Sequence, residues 1–306
     1  MTSGTVIAVL VGYLGVLLAI GFWAARESGD LKSYYVAGKR LPSWVIAFSS
    51  NATGESAWLL LGLTGMGYAI GVHAFWVIFG EVLGIACAWI WVARPFKEYT
   101  DRFDSITVPD YLTNRFGDTS HIFRWLSAVI ILSMVMAYTA AQLTASGKAF
   151  DSFLGTGYTP GVFIGLGIVL FYTVVGGFKA VAYSDFIQGV LMFGCLVTLP
   201  IVGIAAAGGW GEMLEALGAA NPALLQPMGE FGLGAAGISS AIGFVAIGFA
   251  FLGSPQLLTR FMAARDQKQI VDGGIWAVVC VIGFDVGAVF GLSLIHISEP
   301  TRLGMI

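Results

Sequence analysis

Charge is what this chain has least of. Asp, Glu, Lys and Arg make up 11% of its 306 residues, against about 25% in an ordinary soluble domain, which excludes a water-exposed globular protein. The charges present nearly cancel, to a net −3, so there is no basic excess of the kind nucleic acid needs. Cysteine and histidine are equally scarce, at three each. Cys87, Cys195 and Cys280 each lie inside an apolar run without metal-ligand spacing, and they read as small packing residues. His73 and His121 stand alone at the ends of apolar runs, where an interfacial position explains them. A phosphate-binding loop, an HExxH helix, a nucleophile elbow and paired cysteines are all missing, so the chain does not read as an enzyme. No basic residue precedes the first apolar run, which is long enough to span; it reads as a retained helix rather than a cleaved signal.

What the chain has in quantity is apolar residues, 57% of the total, and 42 glycines. About 20 residues cross a bilayer core as a helix. Eight runs meet that length, at 5–24, 44–70, 72–93, 122–147, 159–176, 181–207, 235–254 and 274–294. The fold class is therefore an all-α polytopic membrane protein in the lipid bilayer. Apart from Lys148 and Arg302, all 15 basic residues fall in 25–43, in 94–124, at Lys179 or in 259–273. These are alternate connections, so the positive-inside rule makes them cytoplasmic and leaves the N-terminus outside. Lys39 and Arg40 read as cytoplasmic anchors. Connection 208–234 carries Glu212, Glu215 and Glu230 without a basic residue; its GEMLEAL segment suits a short interfacial helix. No linker to a second domain is visible, so 1–293 reads as one transmembrane domain. The string SLIHISEPTRLGMI reads as a non-native tail over 294–306, and the chain as an N-terminal fragment.

One run is too polar for a lipid-facing helix. Ser49 to Gly67 reads SSNATGESAWLLLGLTGMG and opens with Ser49, Ser50, Asn51, Thr53, Gly54, Glu55 and Ser56. A carboxylate near the bilayer centre costs roughly 2.5–3.5 kcal/mol on insertion scales and normally faces a cavity or a partner. The crowding around Gly54 predicts an interrupted helix, tolerated at membrane depth only where the backbone is buried in protein or lines a wet cavity. Freed carbonyls and hydroxyls are hard donors suited to a cation such as Na⁺. The alternative is a polar helix–helix interface built from small residues.

Other intramembrane polar residues carry two readings each. Glu81 either faces the cavity, contacting substrate or coupling ion, or bonds a neighbouring helix. Asp185 and Gln188 share a helix face and either line an ion pathway or, with Ser184, cap the start of their span. Tyr138 and Gln142 lie one turn apart and could reach one solute; Gln142 could equally bond between helices. Asp285 lies mid-span with no assignable role.

SSNATGESAWLLLGLTG, YTVVGGFKAVAYSDFIQGVLM, SPQLLTRFMAARD, DYLTNRF and YYVAGKRLPSW resemble the sodium/solute symporter family, nearest its sodium/proline branch. The resemblance implies a LeuT-type inverted-repeat fold, here incomplete. Residues 5–24 would be a leading helix, 44–207 the first repeat and 235–293 the start of the second. It implies symport of a small amino-acid-like solute, proline among the candidates, coupled to Na⁺ by alternating access across a bacterial-type cytoplasmic membrane. The matching Na⁺ ligands are the carbonyls of Ala52 and Glu55; the others belong to a later Ser/Thr-bearing helix that this sequence lacks. Gly54 stands where the proline symporters have Asp. Ser56 and Ala57 match positions lining the substrate cavity, Tyr138 a substrate-contacting tyrosine, and Asp185 an aspartate near the inner Na⁺ exit. Ile247 and Phe251 occupy the proline-contacting Trp and Tyr positions, while Pro255 is kept. The alternative is a transporter-like solute sensor domain of a membrane histidine kinase, which nothing before Ser293 separates from a symporter.

Overall fold

Without water at membrane depth every backbone N–H and C=O must be satisfied within the chain, and the apolar runs accordingly fold as helices. A computed structural model describes residues 3–293; the tail expected at 294–306 lies outside them. In order come α1 (Ser3–Ala25), α2 (Leu31–Val36) and α3 (Ser43–Ala57), which continues through a π-helical stretch, Trp58–Leu63, into α4 (Thr64–Ile70). A 3₁₀ turn at Gly71–Ala74 leads to α5 (Phe75–Cys87) and a second π stretch, Ala88–Ala93. The charged connection that follows holds α6 (Arg94–Arg102) and α7 (Val108–Phe116), the latter capped by Thr107, whose hydroxyl accepts from the Asp110 N–H. Then come α8 (Ile122–Leu154), α9 (Tyr158–Ala206), α10 (Trp210–Ala220), α11 (Ala235–Gly248), a 3₁₀ segment Phe249–Gly253, α12 (Pro255–Ala263) and α13 (Gln267–Ser293).

Among the described residues, six helical stretches are long and apolar enough to cross a membrane. Two of them, Ser43–Arg102 and Tyr158–Ala206, are 60 and 49 residues long, far more than one pass needs. The first is broken at Gly71 (φ 55, ψ −129) and the second at Gly177 (φ 60, ψ −160). Both glycines adopt backbone that other residues rarely enter. The eight runs read from the sequence thus fit the six stretches.

The chain divides into two compact units. Among the described residues, one comprises 3–50, Ala93–Ile187 and Pro255–Gly273; the other comprises Asn51–Val92, Gln188–Ser254 and 274–293. In the first unit, Ala24, Tyr172 and Ala180 form a buried cluster. Its basic connections are stitched together. Leu41 exchanges backbone hydrogen bonds with Ala263 and Arg265, and Lys39 Nζ donates to the Thr100 carbonyl and Asp101. Lys97 Nζ donates to Asp101 and the Met262 carbonyl, and Lys32 pairs with Asp104. Lys39 is thus buried and paired rather than a free surface anchor.

In the second unit α5 and α11 pack backbone to backbone. A Cβ on Gly84 would lie 1.9 Å from the Gly248 carbonyl oxygen, a close approach of the kind small residues permit between membrane helices. The GEMLEAL helix forms as expected within α10, but Met213 and Leu217 are buried against Leu224 and Ile204. Exposed apolar side chains such as Val9, Leu132, Met136, Phe163 and Val202 lie along α1, α8 and α9, surface that a bilayer would cover.

Candidate functional site

The interrupted helix forms, within the expected polar stretch. Gly54 remains in the helix, and Ser56 breaks it with φ 48 and ψ −147. That conformation costs a non-glycine residue about 1–3 kcal/mol and persists only where surrounding structure imposes it. Gly54 serves packing instead: a Cβ there would lie 2.7 Å from the Phe251 ring. The last four carbonyls of a helix lack intrahelical partners, and the break puts Ala52 and Glu55 in that last turn.

A second discontinuity lies in the same unit. After α11 the chain tightens into the 3₁₀ segment that carries Phe251, and Ser254 turns extended (φ −62, ψ 118) before Pro255 opens α12. Proline has no N–H to donate, so it suits the first turn of a new helix. Phe251 joins the two breaks through its contact with Gly54. Ser56, Ala57 and Ile247 are half-buried in this unit, as is Gln188 one turn beyond Asp185 on α9. Tyr138 and Gln142, half-buried on α8, belong to the other unit, with Asp185 and Pro255.

Asp185 is no helix cap. The helix resumes after Gly177, so Asp185 lies two turns inside it. Its Oδ2 accepts from Ser49 Oγ at 2.8 Å and from Arg260 Nη2 at 2.6 Å. Arg260 Nε donates to the same Ser49 hydroxyl at 2.8 Å, and Nη1 to the Gln256 carbonyl at 2.9 Å. Ser184 turns its hydroxyl to the Val181 carbonyl. The sequence showed Arg260 only as one more basic residue of a connection, yet its side chain is 4% exposed and ion-paired.

The second polar cluster joins three helices. Glu55 of α3, Glu81 of α5 and Asp285 of α13 are all buried, and one carboxylate oxygen from each lies within 4.8 Å of the others. Glu81 Oε1 accepts from Trp58 Nε1 at 2.9 Å. Glu81 Oε2, both oxygens of Glu55 and both oxygens of Asp285 meet no donor among the described residues. Sequence reasoning named Glu55 and Glu81 separately and left Asp285 unassigned, because no helical period links positions so far apart in the chain.

His73 lies in the Gly71–Ala74 turn, at the expected span end. Its ring is buried, with Nδ1 at 2.8 Å from the Pro227 carbonyl and Nε2 at 3.0 Å from Ser240 Oγ. Trp76 Nε1 donates to the same carbonyl, so the two rings hold the acidic 208–234 connection.

Comparisons with known proteins agree with this architecture. The osmoregulated proline transporter OpuE of Bacillus subtilis strain 168 is 32% identical over 289 residues, covering 93% of this chain and 58% of the relative. The high-affinity proline transporter PutP of the same strain is 33% identical over 285 residues, 92% of this chain and 59% of the relative. The sodium/proline symporter of Escherichia coli K12 is 32% identical over 302 residues, 96% of this chain and 58% of the relative. The chain thus spans a little under three-fifths of the length of these relatives. A solved structure of a Na⁺-coupled sialic acid symporter, substrate-bound and outward-open, superposes with a TM-score of 0.82 at 21% identity, over 98% of this chain and 62% of that one. At that identity the likeness speaks to fold alone, which is LeuT-type. The sequence model of the "Sodium:solute symporter family" matches residues 34–298. With that match over most of its length, on an all-helical framework of membrane-spanning stretches, the chain is an integral membrane protein and belongs to the sodium:solute symporter family.

Proposed function

We propose that this chain takes part in Na⁺-coupled symport of a small amino-acid-like solute across a bacterial cytoplasmic membrane by alternating access. The break at Ser56 carries this reading, because it leaves the carbonyls of Ala52 and Glu55 in a terminal helical turn, where hard oxygen donors can take Na⁺ in place of N–H partners. Ser56, Ala57, Ile247 and Phe251, which share one unit, would contact the solute, and the family resemblance adds Tyr138, Gln142 and Pro255 as solute contacts. Asp185, Gln188 and Glu81 would each serve the ion pathway. The proline transporters among the relatives make proline the first solute to test. Phe251 and Ile247, in place of the Tyr and Trp of the proline branch, favour a related solute with fewer polar contacts. Residues 1–293 act as one transmembrane domain in this reading, with 5–24 leading, 44–207 as first repeat and 235–293 opening the second.

The four Lys/Arg-bearing connections support the orientation. Lys32, Lys39, Lys97 and the Leu41–Ala263–Arg265 bridge bind three of them to each other, and Lys179 reaches Glu27 of the first at 2.5 Å. They therefore share one side, the cytoplasmic one by the positive-inside rule, with the N-terminus outside.

The test is uptake of labelled proline and other small amino acids into proteoliposomes under an inward Na⁺ gradient. Saturable uptake that collapses when K⁺ or choline replaces Na⁺ is expected. Uptake indifferent to the cation, or none for any solute of this class, overturns the reading.

A further inference from the structure

Glu55, Glu81 and Asp285 come from three helices and converge where all three residues are at most 1% exposed. Buried carboxyls either keep their protons or, when charged, are paired with opposite charge or coordinate metal ions. No basic side chain among the described residues pairs with any of the three. The five carboxylate oxygens without a donor are a second observation, independent of the clustering. Trp58 holds one oxygen of Glu81 and so fixes that carboxylate with its other oxygen unbonded.

The spacing identifies the class of ligand. Three atoms within 4.8 Å of one another enclose a point about 2.8 Å or less from each, close to the roughly 2.3–2.6 Å at which carboxylate oxygens hold a hard cation such as Ca²⁺. Carboxylates select hard cations over soft ones. A substituted ammonium would bring a carbon skeleton into a cluster that leaves all three residues almost wholly enclosed, which argues against the charged end of an organic solute.

We propose that the Glu55, Glu81 and Asp285 side chains form a site for a hard inorganic cation, Na⁺ or a divalent metal, additional to the backbone carbonyls of Ala52 and Glu55. The occupancy of this site does not depend on the symport reading; its use as a second coupling ion does. Glu55 lies one residue before the break at Ser56, so an ion held there ties the end of α3 to α5 and α13. Linkage then makes the conformation of the break and the affinity for the ion depend on each other.

The experiment is equilibrium binding of ²²Na⁺ and ⁴⁵Ca²⁺ to the purified chain in lipid nanodiscs, in choline buffer at constant ionic strength without organic solute. Wild type, Asp285→Asn and Glu81→Gln are compared. Saturable binding of one ion is expected, with half-saturation raised at least tenfold in each variant. In wild type the same ion, and not choline, should slow labelling of the three carboxyls by dicyclohexylcarbodiimide, mapped by mass spectrometry. That measurement decides the matter if a variant does not fold. Wild-type binding that both variants retain, or labelling indifferent to either ion, overturns the proposal. Binding that persists in a chain showing no Na⁺-driven uptake would sink the symport reading and leave this site standing.

Discussion

Asp185 and Glu55 are both buried carboxylates at membrane depth, one in each unit, and their surroundings differ completely. Asp185 receives a guanidinium and a hydroxyl, and Arg260, which supplies the guanidinium, spends its other donors on Ser49 and the Gln256 carbonyl. Glu55 receives no donor and faces two further acids. A saturated pair of opposite charges offsets its own desolvation and holds helices together. A cluster of carboxyls cannot do that; it must either keep its protons or take a ligand of opposite charge. The first arrangement is consistent with a fixed joint between α3, α9 and α12, the second with a site that exchanges something.

Breaking the joint should have the largest effect. Arg260→Ala would strand the Asp185 carboxylate without its cation, at a cost of about 3–5 kcal/mol. A thermal melt of the purified protein should show the loss, with Arg260→Met/Asp185→Leu recovering much of it. If the single variant melts with wild type, the joint carries no stability and the contrast fails. Next comes the one donor in the acid cluster. Trp58→Phe removes the hydrogen bond to Glu81 and should cost about 1–3 kcal/mol, with a lesser loss when a saturating cation is present; an equal loss in both conditions would separate Trp58 from the site.

The strain at Ser56 sharpens the comparison from the backbone side. Ser56→Gly and Ser56→Ala both lose the hydroxyl, so their difference isolates conformation. Gly should be the more stable by about 1 kcal/mol, the reverse of their order in a regular helix. Ala ahead of Gly would mean that the break is not imposed by the fold. The smallest effect belongs to a pair whose acid, Glu27, is exposed. Lys179 beside Glu27 holds the Glu27 carboxyl below its usual range, chiefly through their hydrogen bond. A lowered folded value means that the contribution is present above the ordinary carboxylate range and is lost as pH falls through the folded value. Solvent screening keeps it slight. Wild type and Lys179→Met should differ little in melting temperature near neutral pH and converge on acidification. A gap that widens toward acid would reverse the assignment.

Hydrophobic length alone made the helical passes legible, because a bilayer demands about 20 apolar residues whatever they pack against. The polar opening of the Ser49–Gly67 run likewise announced a broken helix. It did not announce which residue of that stretch would carry the unusual backbone. The space beside Gly54 is filled by Phe251, so its missing Cβ serves packing, and the unusual backbone falls on Ser56. Arg260 was hidden for a related reason: a basic residue near the end of a run looks like a loop charge until its depth is known. His73 likewise showed its place at a span end but not its partners, Pro227 and Ser240.

The sequence by itself determined that the chain is helical, lipid-embedded and built with alternate basic connections, and its motifs pointed to the family. These properties follow from composition and local order, which the bilayer reads one segment at a time. Only the tertiary structure decided which buried charges are answered and which are not. Ser49, Asp185 and Arg260 meet, and Glu55, Glu81 and Asp285 meet, because helices remote in the chain present their polar faces to one another. Helical periodicity gives a face to each residue; it does not say which other face will stand opposite.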